Sequence, residues 1–477
     1  MTVPQIKFGT DGWRGVIGDD FTYASVRRVA QGTVEYMLSR SKSPTAIVGY
    51  DCRFASEEFA RTVAEVFAAN GVSSLLFDRP SPTQVASWSV IERKATGAAV
   101  ITASHNPYLF NGFKYKPETG SSAPTEVIAE LERRINALPE VPAPDRADSL
   151  VSLYDPRPAY YAQIARMVDL EAIKAAGLRV VHECMYGSGY GYVSDLIGGG
   201  RTAVTQLHHE RNPFFGGLNP EPIRPNIDRA IAVMRAGGYD LCICTDGDAD
   251  RVGIIDETGR FINQLQVYAL LMLYLFEVRG LRGPVVRTVT MTSMAEKLGA
   301  EFGAEVFEVP VGFKYVAPKM METEAVLGGE ESGGFAVRGH IPERDGILAG
   351  LLFADMIVKR GKPLSQILTD LEHRVGPHAY ARHDIHLHRD TYDADRKRIL
   401  DALAKNAPAQ VAGVKVARVR SDDGFKFFLA DGSWVLLRAS GTEPLVRIYA
   451  EAADGAAVEA RLAALEDIVG LRAKAHA

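Results

Sequence analysis

Cysteine is scarce: the 477 residues contain four, at Cys52, Cys184, Cys242 and Cys244. That is too few for a disulfide framework. Cys242 and Cys244 form a C-x-C pair that could be half of a metal site. No second pair follows, and Tyr239-Asp-Leu-Cys-Ile-Cys244 reads as an apolar strand, so a buried structural role is expected. Excess charge is also missing. There are 54 basic and 59 acidic residues, a formal charge of -5, which does not fit a general nucleic-acid binder. A small anionic ligand stays open, because local charge can oppose the total. Long apolar runs are absent as well. The longest, Val267 to Phe276, falls short of the ~20 residues a membrane span needs. Met1 to Lys7 has no apolar core of a signal peptide. The expectation is a soluble, cytoplasmic protein with neither a nucleic-acid nor a membrane partner.

What is present is ordinary globular material, 47% hydrophobic and 24% charged, enough to bury several cores. At ~150 residues per domain the length suggests about three. Apolar β-rich runs alternate with helical patterns: Ala46 to Tyr50, the Ser56 to Asn70 helix, Ser74 to Asp78 and Ala98 to Thr102. This is the signature of an α/β layer with a mainly parallel sheet. A proline-rich stretch, Leu138-Pro-Glu-Val-Pro-Ala-Pro-Asp, reads as a linker, and the alternation restarts after it. It restarts again near Gln264. From about His373 the pattern becomes α+β. Three similar α/β domains with mixed, mainly parallel sheets and a C-terminal α+β domain are therefore expected, at residues 1–150, 151–260, 261–372 and 373–477.

In each unit an apolar strand runs into a loop of unusual chemistry: Ser104-His-Asn-Pro, Asp246-Gly-Asp-Ala-Asp-Arg251, Gly328-Gly-Glu-Glu-Ser-Gly-Gly334 and Arg438-Ala-Ser-Gly-Thr-Glu-Pro444. Ligands of open α/β sheets bind beyond the strands' carboxyl ends, so four such loops suggest one shared central cleft. Asp246, Asp248 and Asp250 can share one side of an extended loop. Their mutual repulsion calls for a cation, and all-oxygen ligands favour Mg²⁺ or Ca²⁺. A calcium hand would place Glu257 at its twelfth position, but its sixth holds Arg251 where glycine is needed, and Val252-Gly-Ile-Ile reads as strand. A solvated acidic turn is the bland alternative. Ser104 alone reads as a turn residue, since Asn-Pro favours one and no G-x-S-x-G elbow exists. Beside a metal loop it could carry a phosphoryl group. Arg438 to Thr442 has the makeup of an anion cradle or of an ordinary turn. Glu330 and Ser332, flanked by glycines, suit sugar hydroxyls or solvent. Phe8-Gly-Thr-Asp-Gly-Trp-Arg-Gly15 is weak by itself.

Together, in this order, these segments resemble the α-D-phosphohexomutase family over essentially the whole chain. Phe8 to Gly15 is similar to its N-terminal G-T-D-G-x-R-G, Thr102 to Pro107 to its phosphoserine loop, and Asp246 to Arg251 to its metal loop. Gly329 to Gly333 is similar to its sugar loop and Arg438 to Pro444 to its phosphate loop. The resemblance implies four domains around a cleft. It also implies a Mg²⁺-dependent isomerase that moves phosphate between O1 and O6 of a hexose through a hexose 1,6-bisphosphate. By motif, Ser104 would carry the phosphate and help Asp246, Asp248 and Asp250 hold Mg²⁺. Glu330 and Ser332 would bind sugar hydroxyls, and Arg438, Ser440, Gly441 and Thr442 the substrate's own phosphate. Arg14 and Lys114 would lie near the reacting phosphate, Lys114 for proton transfer or charge stabilisation. Three aspartates, Mg²⁺ and a phosphoserine leave roughly 2.5 to 3 negative charges. Arg14, Lys114 and Arg251 are expected to offset them.

Two positions depart from the family pattern. Gly334 stands where many relatives have His, and Arg344 where many phosphoglucomutases have Lys. Arginine holds its proton, so a proton-transfer role there is in doubt, although Arg344 could bind a phosphate oxygen. Glucose is the expected hexose. Phosphomannomutase or phosphoglucosamine mutase activity is the alternative, and a metal-dependent sugar phosphatase a more distant one. The sugar phosphate is the one partner implied; the sequence leaves the oligomeric state open.

Overall fold

Apolar strands recur between amphipathic helices, and each recurrence closes its own sheet. The structure, a computed structural model, describes residues 4–9, 11–144, 148–440 and 444–471. The first sheet contains β1 (Trp13–Val16), β2 (Thr45–Tyr50), β3 (Ser73–Phe77), β4 (Gly97–Ile101), β5 (Phe110–Pro117) and β6 (Val151–Tyr154), ordered β1-β5-β4-β2-β3-β6. β2 runs parallel to β3 and β4, and β3 to β6, whereas β5 is antiparallel to β4 and β1.

The second sheet, ordered β11-β10-β9-β7-β8, is built from β7 (Arg179–Glu183), β8 (Ala203–Leu207), β9 (Leu241–Thr245), β10 (Val252–Asp256) and β11 (Phe261–Ile262). The third contains β12 (Val285–Thr288), β13 (Val306–Val309), β14 (Leu327–Gly329) and β15 (Phe335–Val337), ordered β13-β12-β14-β15. Both are mixed: parallel pairs run out to one edge, at β8 and β13, and antiparallel pairs close the other. The fourth sheet is antiparallel throughout. Its order is β16-β21-β20-β19-β18-β17, from β16 (Ala379–His386), β17 (Gln410–Val411), β18 (Val414–Arg420), β19 (Phe425–Leu429), β20 (Trp434–Ala439) and β21 (Leu445–Ala452). Three α/β units and an α+β unit are the architecture expected from the sequence pattern.

One apolar core runs through the first three units, while the fourth has its own, around Ile385, Val435, Ile448 and Leu462. The apolar run at 267–276 lies inside the Gln264–Glu277 helix, which is buried along almost its whole length. Asn263 caps that helix, its side chain accepting from the Gln266 amide. Among the described residues no helix is long and apolar enough to cross a membrane. Cys242 and Cys244 sit in β9 among Val181, Met185, Ile231 and Met234. Burial holds the Cys244 thiol well above its ordinary range, so it is a packing residue and not a ready thiolate.

Several segments differ from the sequence expectation. β6 adds to β3, so the first sheet runs past residue 150. β11 pairs with β10, carrying the second sheet past 260. The apolar strand expected to run into the loop at Gly328 begins only at Leu327, where pairing with β12 and β15 starts, and continues to Gly329. β1 and β5 have no counterpart among the expected strands. β5 carries Lys114 and Lys116 in alternation, a pattern that ordinarily marks a solvated face, yet both lysines are buried.

Candidate active site

β4 delivers its chain into a tight turn at Ser104. The serine is buried and holds φ 53°, a left-handed conformation that is uncommon outside glycine. The turn is over-determined. Thr102 Oγ1 accepts from the Ser104 amide at 2.9 Å. The buried Arg53 guanidinium donates to the carbonyls of Ser104 at 2.5 Å, Asn106 at 2.7 Å, Phe110 at 2.9 Å and Pro107 at 3.0 Å. Asp51 holds Arg53 in turn, at 3.1 Å. Ser104 Oγ is thereby aimed across the cleft at Asp246 Oδ2, 2.9 Å away. His105 Nδ1 lies 3.4 Å from the same hydroxyl.

β9 and β10 form an antiparallel pair, and the Asp trio occupies the turn between them. The turn is tight, not extended as expected: the Ala249 amide donates to the Asp246 carbonyl and Ala249 takes φ 58°. All three carboxylates are buried, with one oxygen of each within 4.8 Å of the others. A Cβ on Gly247 would meet the Ser104 carbonyl at 2.4 Å, so the two loops approach this closely only because position 247 is glycine. Asp248 Oδ1 and Asp250 Oδ1 are buried acceptors with no hydrogen-bond partner among the described residues. Leaving such groups unpaired costs about 1–3 kcal/mol each. Burial, with Asp248 and Asp250 alongside, pushes the Asp246 carboxyl well above the carboxylate range. Orphaned oxygens and mutual repulsion are what a hard divalent cation would relieve, so the donor set fits one. Glu257 is not part of this group. It lies beyond β10 and binds the Ser365 hydroxyl and amide, which removes the calcium-hand arrangement.

Cations ring the trio. Lys114 Nζ reaches Asp11 Oδ2 at 2.7 Å, Asp248 Oδ2 at 2.8 Å and Asp250 Oδ2 at 3.0 Å. Burial works against its charge, but the three carboxylates outweigh it and hold the ammonium well above the lysine range. Arg14 donates to Asn106 Oδ1, beside Ser104. Burial, then Arg251, lowers its pKa. Arg251 is buried, with Nε 3.9 Å from Asp250 Oδ1 and Nη1 3.6 Å from Glu221. Arg344, which could bind a phosphate oxygen, has its nitrogens engaged with Asp11, Asp250 at 3.0 Å, Glu330 at 3.1 Å and Glu343 at 3.2 Å.

The third loop meets the trio through that arginine. Glu330 Oε1 accepts from Arg344 and, at 2.8 Å, from the Ser332 hydroxyl. In the same turn the Gly333 carbonyl accepts from the Val252 amide, at 2.9 Å. In the fourth loop, Arg438 Nε rests 2.9 Å from Asp423 Oδ1, and Asp423 Oδ2 accepts from the Val311 amide of the third unit at 2.7 Å. The Ser440 carbonyl accepts from Tyr392. Gly441 and Thr442 lie outside the described residues. Ser104, Lys114, Asp246, Asp248, Asp250, Glu330 and Ser332 thus form one connected cluster, whereas Arg438 and Ser440 are anchored within the fourth unit and its contact with the third.

Sequence reasoning missed Arg53, Asp11 and Thr83, whose hydroxyl donates to Asp248 Oδ2 at 2.6 Å. Asp51-Cys-Arg53 at the exit of an apolar strand was a usable signal. Thr83, at the start of a helix, offered none.

Residues 5–141, 158–259, 263–375 and 397–468 match, in order, alpha/beta/alpha domains I, II and III and the C-terminal domain of phosphoglucomutase/phosphomannomutase. The chain belongs to this family. Members of the phosphoglucomutase/phosphomannomutase family are isomerase-class phosphotransferases. The chain is 30% identical to a "Phosphoglucomutase/phosphomannomutase" of Thermococcus kodakarensis, over 93% of this chain and 94% of that one. It is 30% identical to a "Phosphoglucosamine mutase" of Solidesulfovibrio magneticus, over 97% and 98%. A crystal structure from Thermus thermophilus that bears a phosphomannomutase name is 34% identical and superposes with a TM-score of 0.87, over 98% and 100% of the two chains.

Proposed function

We propose that this chain interconverts hexose 1-phosphate and hexose 6-phosphate, with glucose as the preferred sugar, through phosphorylated Ser104 and a hexose 1,6-bisphosphate. The observation that carries the reading is the buried Ser104 hydroxyl 2.9 Å from Asp246, at the edge of a three-carboxylate centre with orphaned oxygens. In this reading Asp246, Asp248, Asp250 and the Ser104 side chain hold Mg²⁺. When bound, that ion neutralises charge on the phosphoryl oxygens in transfer. A sugar hydroxyl attacks the phosphorus on Ser104, the bond from phosphorus to Oγ breaks, the proton of the attacking hydroxyl ends on the released Oγ, and the bisphosphate forms. After the intermediate turns over, the other phosphate returns to Oγ. Lys114 and Arg14 stabilise the moving charge. Glu330 and Ser332 hold sugar hydroxyls. Arg438, Ser440, Gly441 and Thr442 grip the phosphate that is not reacting. The domains divide near 150, 260 and 372, and the enzyme works in the cytoplasm on a free sugar phosphate.

The test is an assay of glucose 1-phosphate with Mg²⁺ and a trace of glucose 1,6-bisphosphate, following glucose 6-phosphate and free phosphate. Stoichiometric free phosphate would make the protein a phosphatase. Mannose and glucosamine phosphates in the same assay separate the mutase specificities carried in the relatives' names.

Arg251 supplies a further check. Its charge is buried beside Asp250, and its Nε lacks a hydrogen-bond partner among the described residues. Arg251→Ala is expected to lower kcat/KM by about tenfold to a hundredfold, the weight of one buried cation on a phosphoryl group. Unchanged steady-state kinetics would show that Arg251 only closes the turn.

A further inference from the structure

The backbone of Gly334 does not ask for glycine. Its φ lies outside the left-handed region, unlike that of Gly333 at 92°. What excludes a side chain is Arg344. A Cβ on Gly334 would meet Arg344 Cδ at 2.2 Å, Cγ at 2.6 Å and Cβ at 3.4 Å. These are stem atoms, and the stem cannot swing away. At one end it leaves the backbone; at the other the guanidinium is pinned by four carboxylates. Asp11 comes from the first unit, Asp250 from the second, and Glu330 and Glu343 from the third. Phe313 covers the guanidinium, its ring centre 5.5 Å away.

The pinning has a direction. Arg344 Nη2 and Lys114 Nζ both take Asp250 Oδ2, each at 3.0 Å, which leaves Asp250 Oδ1 without a hydrogen bond among the described residues, 3.9 Å from Arg251 Nε. Through Nη1 the same guanidinium fixes Glu330 Oε1. One side chain therefore orients a carboxylate of the trio and a carboxylate of the sugar loop together. Its planar fork suits this double task, which a single ammonium could not perform with the same geometry.

We propose that Gly334 and Arg344 act as one positioning unit: the missing side chain at 334 makes room for an arginine that orients Asp250 toward the ion and ties the sugar loop to the Asp trio. The proposal rests on the mutase reading for its role in turnover, but not for its effect on ion binding.

The experiment is a double-mutant cycle on the full chain, read by Mn²⁺ binding in electron paramagnetic resonance and by kcat. Gly334→Ala is expected to weaken Mn²⁺ and to lower kcat, each by about tenfold, a coupling usual for residues in direct contact. In the Arg344→Lys background the same alanine should change either quantity by less than about twofold, because lysine keeps the stem but its single ammonium is not forked between Asp250 and Glu330, so the stem is free to shift. The G334A/R344K double variant should bind Mn²⁺ about as tightly as R344K alone, a non-additivity that general destabilisation would not produce. Additive losses, or a silent G334A, would overturn the proposal. If the wild-type chain lacked mutase activity while the Mn²⁺ cycle stayed coupled, the functional reading would fall and the positioning unit would stand.

Discussion

Ser104→Ala is expected to abolish mutase turnover, by about 10⁴-fold or more, the scale on which removing a covalent nucleophile acts. It should also remove the mass of one phosphoryl group from the purified protein, read by intact mass spectrometry after incubation with glucose 1,6-bisphosphate. The fold should survive. The turn that carries Ser104 is held by backbone carbonyls bonded to Arg53 and by the Thr102 hydroxyl on the Ser104 amide, none of which uses Oγ. Removing Oγ takes away its contacts with Asp246 and with His105 Nδ1, neither of which holds the turn. A protein with normal thermal melting, no phosphate and no turnover is the predicted phenotype. A serine that merely shaped the turn would leave both phosphate uptake and rate in place. Residual turnover above a hundredth of wild type would mean that phosphate passes between substrates without this hydroxyl.

The difference between Ser104 and Arg53 shows how far the sequence could be read. Each strand-exit loop was visible because an apolar run stops abruptly at polar residues, and that is a local signal. The Asp trio was visible for the same reason, and so was the apolar run at 267–276. What these residues touch was not visible. Thr83 meets Asp248 across 165 positions and Arg344 meets Asp11 across 333. Periodicity reports which face of an element is buried, not what stands opposite it. Lys114 and Lys116 illustrate the limit. On β5 they alternate with Phe113 and Tyr115, and a two-residue period of lysines reads as a wet face. The structure buries them because Asp11, Asp248, Asp250 and Glu343 arrive from three domains to pair them. Gly334 is the converse. It was noticed as a departure from a pattern, but its reason lies ten residues on, in the volume Arg344 fills. Both are tertiary facts, set by how the sheets are assembled around the cleft.

That assembly makes the three aspartates unequal, although the sequence presents them as a uniform D-x-D-x-D. Asp248 accepts from Lys114 at 2.8 Å and from Thr83 at 2.6 Å. Asp246 is bonded to a neutral hydroxyl, Ser104, and to the Arg251 amide at 3.1 Å. With Mg²⁺ present, Asp246→Asn and Asp248→Asn should behave alike. Each removes one of three anionic ligands, and each is expected to lower kcat by about 10³-fold and to raise the Mg²⁺ needed for half-maximal rate. In EDTA they should part. Asp246→Asn removes a charge that repels Asp248 and Asp250 while its amide keeps a hydrogen bond to Ser104, so unfolding free energy should change by less than about 1 kcal/mol. Asp248→Asn takes a carboxylate from a buried ammonium, and the loss should be about 1–3 kcal/mol. Urea melts of the two variants in EDTA, beside kinetics in excess Mg²⁺, measure both halves. Equal destabilisation would show that Lys114 is satisfied by Asp11 and Asp250 alone. Turnover preserved in either variant would remove the trio from the reaction. The pairing seen here predicts the other result: an ion-binding centre whose charge is balanced, before any ion arrives, by a lysine reaching it from β5 and an arginine reaching it from the sugar-loop domain.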